Sequence, residues 1–174
     1  MLDQILEVFP PERTGIKLSP LSDYNGQWDS QTIALNQYVI EGLNKRKIAF
    51  IEVNEALTQD GVSDPEKRAK FYADKELKTL RAYLRPKFNG AYIANFEFNR
   101  ETANAAISNG ECDLVSFGNL FCQNANLVEK FEKNIPPTFN FPPNVWILYF
   151  SPGALGYTDL SPYENYKPEV QEAQ

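Results

Sequence analysis

Apolar and polar residues follow two different periods along the first 133 residues of the chain. Short continuous apolar runs predict strands buried on both faces, and segments with apolar residues three or four positions apart predict helices. Strands are predicted at residues 14–18, 48–53, 91–95 and 113–117. Helices are predicted at residues 2–8, 29–47, 64–85, 99–110 and 124–133.

Capping residues and apolar stripes define the boundaries and the buried faces of these helices. The expected capping residues are Asp29 with Ser30, Asp64 before Pro65, Asn99, and the pair Asn109 and Gly110. The buried face of the first helix is expected to consist of Leu2, Ile5, Leu6 and Phe9. The buried positions of the second helix are expected to be Ile33, Leu35, Tyr38, Val39 and Leu43.

Strand and helix alternate four times in this pattern. Because the strands are too apolar to leave one face in water, the alternation predicts an α/β fold with a parallel sheet covered by helices. Residues 134–174 are richer in proline and have no clear period, so we expect an irregular C-terminal tail after βα units in residues 1–133. No linker divides the chain, and we expect a single domain over residues 1–174.

The charge of the chain and its apolar runs exclude several kinds of partner. The 174 residues are 43% hydrophobic and carry a net charge of −6, with a pI of about 4.8. Such a surface repels nucleic acid and anionic membranes. No apolar run approaches the roughly 18 residues of a membrane span, and the first residues lack the pattern of a signal peptide. We expect an intracellular protein without membrane insertion, and an organellar or ciliary assembly would suit it.

The residue types also limit the chemistry. The chain contains no histidine, which removes histidine-based acid–base catalysis, the Ser-His and Cys-His nucleophiles, and most zinc sites. The two cysteines, Cys112 and Cys122, stand in apolar contexts and are expected to be buried thiols. A pair formed by Glu52 with Glu55 or Glu97 is the remaining carboxylate candidate, but such residues are more often ion-paired or solvated.

Five motifs, in order along the chain, resemble one enzyme family. They are residues 15–20 (Gly-Ile-Lys-Leu-Ser-Pro), 48–55 (Ile-Ala-Phe-Ile-Glu-Val-Asn-Glu), 93–102 (Ile-Ala-Asn-Phe-Glu-Phe-Asn-Arg-Glu-Thr), 113–127 (beginning Asp-Leu-Val-Ser-Phe-Gly-Asn) and 156–159 (Gly-Tyr-Thr-Asp). They resemble barrel strands five to eight and the C-terminal signature of the old yellow enzymes, which are FMN-dependent ene-reductases. The resemblance implies half of a TIM (β/α)8 barrel over about residues 2–163.

The resemblance assigns several flavin positions to altered residues. Lys17 stands where the family has an arginine that contacts the flavin ring, so the charge is kept but the planar fork is lost. Asn95, Phe96 and Glu97 lie in the phosphate loop, where the family has small residues that let the backbone approach the phosphate. A phenylalanine fills that space, and a glutamate repels a dianion.

Two further flavin positions follow the fourth strand. Gly118 keeps the family's glycine, but Asn119 replaces the arginine that binds the phosphate. Asparagine has no charge and a shorter reach than arginine. We therefore expect no bound cofactor, no catalytic residue and no metal ligand in this chain.

Three functions are compatible with a half-barrel whose flavin positions have changed. An open barrel core and unpaired sheet edges require cover, so we expect other protein chains to pack there, in a hetero-assembly rather than a homodimer. The favoured hypothesis is a non-catalytic structural or accessory subunit of a larger assembly, derived from an FMN-dependent ene-reductase. The alternative is the C-terminal half of a split FMN- and NAD(P)H-dependent oxidoreductase, which would bind FMN with a partner chain. The third is a module that binds another ligand at the carboxyl ends of the strands.

Overall fold

A computed structural model describes residues 1–22, 29–55 and 80–138 of the chain. Within these ranges, four strands form a parallel sheet in the order β1-β2-β3-β4. The strands are β1 (Gly15–Leu18), β2 (Phe50–Asn54), β3 (Ala91–Asn95) and β4 (Leu114–Ser116). The four predicted strands are thus confirmed, with ends that shift by one or two residues. The helix start expected at Asp64 and the motif at residues 156–159 lie outside the described ranges.

In the described ranges, one α-helix precedes β1 and at least one α-helix follows each strand. They are α1 (Leu2–Leu6), α2 (Thr32–Arg46), α3 (Leu80–Leu84), α4 (Arg100–Ser108), α5 (Asn119–Gln123) and α6 (Leu127–Glu132). Helix α2 begins later than expected: Gln31 is its N-cap, and Asp29 holds the preceding turn by accepting a 2.6 Å hydrogen bond from the Gln31 backbone N–H.

Both ends of α4 match the expectation from the sequence. The Asn99 side chain accepts a 2.8 Å hydrogen bond from the backbone N–H of Thr102, and the Thr102 hydroxyl accepts one of 3.0 Å from the Asn99 backbone. This reciprocal capping box satisfies two donors that a helix start leaves unpaired. At the other end, Asn109 is the C-cap and Gly110 has a φ of 71°, a conformation that glycine adopts without steric cost.

The two faces of the sheet differ in burial. Side chains that point toward the helices are fully buried at the centre of the sheet, including Ile51, Val53, Tyr92 and Ala94. The opposite side, here called the open face, keeps access to solvent. The open face consists of Gly15, Lys17, Phe50, Glu52, Asn54, Ala91, Ile93, Asn95, Leu114 and Ser116.

Helix α2 packs with a different stripe from the one expected. Leu35 and Tyr38 were expected to be buried, but they are 45% and 76% exposed. The buried residues of α2 are Thr32, Asn36, Ile40 and Leu43. Asn36 can be buried because its side-chain amide donates a 2.8 Å hydrogen bond to the Thr32 carbonyl, so polar residues occupy positions that a hydrophobic pattern assigns to apolar ones. Ile33 and Val39 are partly buried against the core, as expected.

Helix α1 ends earlier than the apolar pattern indicates. It stops at Leu6, and only Leu2 and Leu6 of the expected face pack against the core. Ile5 and Phe9 are exposed, so their predicted burial is wrong. Two consecutive prolines at Pro10 and Pro11 follow, and the chain turns there through a 3-10 helix into β1.

Two glycines are required by close packing of the sheet. An added Cβ at Gly15 would overlap the ring of Phe50, its register partner on β2. An added Cβ at Gly90 would lie 2.5 Å from the Ala49 carbonyl oxygen and 2.7 Å from the Phe88 ring. These contacts fix where the backbone enters β1 and β3.

The chain divides into two compact units, Met1–Ser116 and Phe117–Gln174. In the described part of the second unit, the helix expected at residues 124–133 begins only at Leu127. The reason is that the buried Asn124 side chain holds a turn instead: its amide donates 2.8 Å hydrogen bonds to the Leu120 and Thr138 carbonyls. Cys122, expected to be buried, is exposed on α5, whereas Cys112 of the first unit is buried as expected.

Candidate functional site

Polar side chains from all four strands form a connected chain on the open face. The Lys17 ammonium on β1 donates a 2.8 Å hydrogen bond to Glu52 Oε1 on β2. The Ser116 hydroxyl on β4 donates a 2.9 Å hydrogen bond to the same oxygen. The Asn95 amide on β3 donates to Ser116 Oγ at 2.9 Å and to its carbonyl at 3.1 Å. We call these four residues the open-face chain.

The register of the sheet explains the open-face chain. Lys17 is the direct partner of Glu52, and Asn95 is the direct partner of Ser116, so each pair starts from adjacent backbone positions. Ser116 and Glu52 lie on alternate strands, the arrangement by which side chains fill a βα barrel from within. The period of two along each strand places Lys17, Glu52 and Ser116 on one face, but Ser116 is neither a flavin position nor a carboxylate, so nothing in the sequence distinguishes it.

Glu52 is ionised and neutralised within the open-face chain. Its partial burial would raise the pKa of the carboxyl, but the hydrogen bonds from Lys17 and Ser116 and the charge of Lys17 outweigh this effect. The pKa of Glu52 therefore lies below its usual range. The Lys17 side chain is 53% exposed and the Glu52 side chain 24%, so the pair lies at a boundary between the sheet and solvent.

The loop after β3 combines a glycine-like backbone with bulky residues. Phe96 has a φ of 118° and Glu97 a φ of 51°, values that residues with a Cβ rarely adopt. Phe96 is 39% exposed, so it is not fixed in the core. Asn95, the last residue of β3, does not belong to this loop. Its side-chain amide donates a hydrogen bond to Ser116. The loop thus has a backbone conformation that the side chains of Phe96 and Glu97 do not favour.

Gly118 and Asn119 belong to the second unit. Gly118 precedes α5 with a φ of −95°, and nothing lies within 4 Å of an added Cβ there. Neither its φ nor its surroundings require a glycine. Asn119 is the first residue of α5, a helix of five residues. The structure therefore brings together Lys17 and Asn95 through Glu52 and Ser116, and places Phe96 and Glu97 directly after β3.

A second polar cluster lies at the helix side of the sheet, and sequence reasoning missed it. Arg81 binds Glu55 at 3.0 Å and Glu111 at 2.9 Å, and its guanidinium lies 5.2 Å from the centre of the Phe98 ring. The buried Tyr92 phenol donates a 3.1 Å hydrogen bond to Glu55. Glu52 and Glu55 thus have separate cationic partners, Lys17 and Arg81, in agreement with the ion-paired role expected for these carboxylates.

Burial controls the ionisation of this helix-side cluster. It raises the pKa of Glu55, and the charge of Arg81 and the hydrogen bonds from Tyr92 and Arg81 offset only part of this effect. Burial, followed by the charge of Glu55, also raises the pKa of the Tyr92 phenol. Burial raises the pKa of the Cys112 thiol as well, which keeps that thiol protonated and unreactive.

Other kinds of site are not found in the described residues. No group of three or more His, Cys, Asp or Glu side chains is placed there to hold a metal ion. None of the helices in residues 1–22, 29–55 and 80–138 is long and apolar enough to cross a membrane.

Comparison with known proteins identifies the family. Residues 1–138 match the model of the NADH:flavin oxidoreductase / NADH oxidase family. The chain is 30% identical over 165 residues to 12-oxophytodienoate reductase 2 of Arabidopsis thaliana, covering 95% of this chain and 41% of that protein. It is 34% identical over 149 residues to putative 12-oxophytodienoate reductase 11 of Oryza sativa subsp. japonica, covering 85% of this chain and 37% of that protein.

Solved structures give the same result. Morphinone reductase matches with a TM-score of 0.70 and 28% identity, over 91% of this chain and 38% of that enzyme. The old yellow enzyme of Trypanosoma cruzi matches in fold with a TM-score of 0.72, over 95% of this chain and 38% of that enzyme. These neighbours are TIM barrels, and the four parallel strands here correspond to half of such a barrel. The predicted fold class is confirmed.

The match covers most of this chain but only part of each relative. The chain spans about two fifths of the length of the relatives it matches. The order of the four strands, the family model over 138 residues and the match to morphinone reductase agree with one another. The chain therefore belongs to the NADH:flavin oxidoreductase / NADH oxidase family, that of the old yellow enzymes.

Proposed function

We propose that this chain is a non-catalytic structural or accessory subunit of a larger protein assembly, derived from an FMN-dependent ene-reductase. The main support comes from the loop after β3, where Phe96 and Glu97 have positive φ values. A glycine in such a position leaves its N–H open to a phosphate, whereas a Cβ and a carboxylate obstruct and repel it. The loop does not fit the FMN phosphate.

The charges at the flavin positions that the family resemblance assigns support the same proposal. Lys17 is already bound to a carboxylate, Glu52, at 2.8 Å. Asn119 is neutral where the family has a phosphate-binding arginine. Each charge-assisted hydrogen bond that is absent removes about 1.5–3 kcal/mol of binding free energy, so the loss of several weakens FMN binding by orders of magnitude.

The open face supports a role in protein packing. Leu114 is 52% exposed, and Phe50 and Ile93 on the same face are only partly buried. Exposed apolar side chains beside polar groups that are already ion-paired are typical of a surface that another protein covers. The partner in this proposal is a different protein chain packed against the open face.

A second candidate is an FMN-dependent oxidoreductase half that acts together with a partner chain. It is favoured by the positive φ at residues 96 and 97, a backbone that a glycine loop could adopt, and by the cation at Lys17. The names of its relatives, 12-oxophytodienoate reductase among them, agree with this candidate. In that case FMN would supply hydride transfer, and Lys17 would face the flavin ring.

A comparison of two flavins separates the candidates. The protein is purified with its co-purifying chains, inspected for flavin absorbance, and titrated with FMN and with riboflavin, which lacks the phosphate. We expect colourless protein and no preference for FMN over riboflavin. A double variant, Phe96→Gly with Glu97→Gly, is expected to bind FMN more tightly than the unaltered chain does, because it removes the Cβ atoms and the carboxylate from the loop. Stoichiometric FMN in the purified protein, or a strong preference of the unaltered chain for FMN, would overturn the proposal.

A further inference from the structure

The centre of the open-face chain is a carboxylate oxygen with two donors. Glu52 Oε1 accepts hydrogen bonds from Lys17 Nζ at 2.8 Å and from Ser116 Oγ at 2.9 Å. Ser116 Oγ in turn accepts a bond from the Asn95 amide at 2.9 Å. Each of the four residues of the open-face chain thus has a hydrogen-bond partner on another strand of the sheet. Through these contacts, β1, β2, β3 and β4 are joined at the level where the resemblance places a flavin ring.

We propose that Glu52 is a built-in counter-ion that occupies the Lys17 ammonium in place of an acidic ligand, and that Glu52 thereby makes the open face reject acidic ligands. This inference deepens the proposed function and rests on it. The alternative is that the contact is an incidental surface ion pair without influence on ligand choice.

The backbone sets the Lys17–Glu52 contact. The two residues are register partners on adjacent strands, so the carboxylate and the ammonium leave the sheet side by side. Ser116 fixes the carboxylate from the opposite side, and this second bond limits its rotation. An incidental pair between two long exposed side chains lacks this double restraint.

Charge explains why the pair rejects acidic ligands. A ligand that takes Lys17 as its partner must separate it from Glu52, and the ligand's negative group then faces an ionised carboxylate at short range. Lys17 is in direct contact with Glu52, and its positive charge stabilises the ionised carboxylate. A neutral side chain at position 52 would leave the ammonium free for a ligand. The residue at position 52 therefore determines whether the Lys17 ammonium can bind an acidic ligand.

The test is an NMR titration of the glutamate side-chain carbons in the full chain, with and without FMN. Lys17→Met is expected to raise the pKa of Glu52, and Lys17→Arg is expected to leave it near that of the unaltered chain, because arginine keeps the charge. Lys133→Met is the matched control, since Lys133 binds Glu129 at 2.6 Å in the other unit. It should leave the Glu52 titration unchanged. FMN added to the unaltered protein is expected to leave the Glu52 titration unchanged.

The outcomes separate the inference from the proposed function. An unchanged Glu52 titration in Lys17→Met overturns the inference, because Lys17 is then not its effective partner. A Glu52 titration that FMN shifts toward that of Lys17→Met also overturns it, because the flavin has taken Lys17. Saturable FMN fluorescence quenching without a shift of Glu52 supports the inference and overturns the proposed function. The FMN arm uses the unaltered protein, so a shift of Glu52 on addition of FMN can still overturn the inference if Lys17→Met folds poorly.

Discussion

The Tyr92 phenol donates a 3.1 Å hydrogen bond to the Glu55 carboxylate at the helix side of the sheet. Tyr92 is completely buried, and Glu55 receives its charge compensation from Arg81 at 3.0 Å. The bond satisfies a phenol that cannot reach water and stabilises a carboxylate that burial disfavours. One contact therefore joins the core of the sheet to the polar cluster around Arg81.

Replacing Tyr92 with phenylalanine should destabilise the first unit. The ring remains, but Glu55 loses a donor in a buried position, and the unfolding free energy is expected to fall by about 1–2 kcal/mol. Urea unfolding followed by fluorescence measures the change. Tyr83→Phe is the matched control, because the Tyr83 hydroxyl bonds to Gln37 at an exposed position. If Tyr83→Phe lowers the free energy of unfolding as much as Tyr92→Phe does, the buried hydrogen bond does not contribute more than an exposed one.

The helix-side cluster shows why part of the site was not predictable from the sequence. Arg81 stands in the helix predicted at residues 64–85, which contains many charged residues, so a solvated role is the ordinary interpretation. Its partners Glu55 and Glu111 are 26 and 30 residues away along the chain, and only the packing of α3 beside the sheet brings them together. Long-range ion pairs of this kind have no local signature.

Acid should weaken the first unit through Glu52. The folded pKa of Glu52 lies below the reference value of 4.5, so its contribution to stability is complete above pH 4.5 and is lost as the pH falls through the lower folded pKa. Relative to Glu52→Gln, the unaltered protein should therefore gain stability as the pH is raised toward 4.5 and remain level above it. Urea unfolding of both proteins across this range measures the difference.

Glu55 provides a control of opposite sign. Its folded pKa is raised above 4.5, so its ionisation penalises the folded state as the pH rises from 4.5 through the folded pKa. Relative to Glu55→Gln, the unaltered protein should lose stability over that window. If the two variants show the same pH dependence, the assignment of Glu52 to an ion pair and of Glu55 to a buried environment is wrong.

The loop after β3 should become more stable when a glycine is restored. Glu97 has a φ of 51°, and a non-glycine residue in such a conformation costs about 1 kcal/mol or more. We expect Glu97→Gly to raise the unfolding free energy by about 0.5–1 kcal/mol after the greater entropy of unfolded glycine is counted. Gly110→Ala is the reverse substitution at a similar conformation, since Gly110 has a φ of 71°. It should lower the free energy of unfolding. A destabilising Glu97→Gly would contradict the strain at this position.

The strands were predictable because a short apolar run is a local feature of the sequence. The open-face chain was not, because it depends on the register between strands. The family motif at residues 15–20 places Lys17, but its partner Glu52 lies 35 residues away and is selected only by the alignment of β1 with β2. The exposure of Leu35 and Tyr38 has a similar origin: the sequence shows which residues are apolar, but not that Asn36 can be buried by bonding to its own helix.

The close approach at Gly90 predicts a large penalty for alanine. An added Cβ would lie 2.5 Å from the Ala49 carbonyl, a backbone atom that cannot move away without displacing β2. We expect Gly90→Ala to lower the unfolding free energy by about 2 kcal/mol or more, in the range of overpacked cores. Gly118→Ala is the control, because open space surrounds that position, and it should change stability by less than about 0.5 kcal/mol. Thermal unfolding of both variants checks the contrast.

Asn124 should be the most sensitive polar residue in the described part of the second unit. Its side-chain oxygen accepts hydrogen bonds from the Thr138 backbone N–H at 2.8 Å and from Lys130 Nζ at 2.7 Å, and its amide binds two carbonyls. Asn124→Ala leaves these groups without partners in a buried place and should cost about 2–3 kcal/mol.

Hydrogen exchange at the Thr138 amide provides the local measurement for Asn124→Ala, because the lost bond exposes that N–H directly. Asn126→Ala is the matched control: Asn126 is exposed and makes no side-chain capping bond, so the Thr138 amide should keep its protection. Asn124→Asp separates shape from donor chemistry, since aspartate keeps both acceptors for Thr138 and Lys130 but loses the amide donor. Its Thr138 amide should be protected to an intermediate degree, and equal protection in Asn124→Ala and Asn126→Ala would contradict the role of Asn124 in this turn.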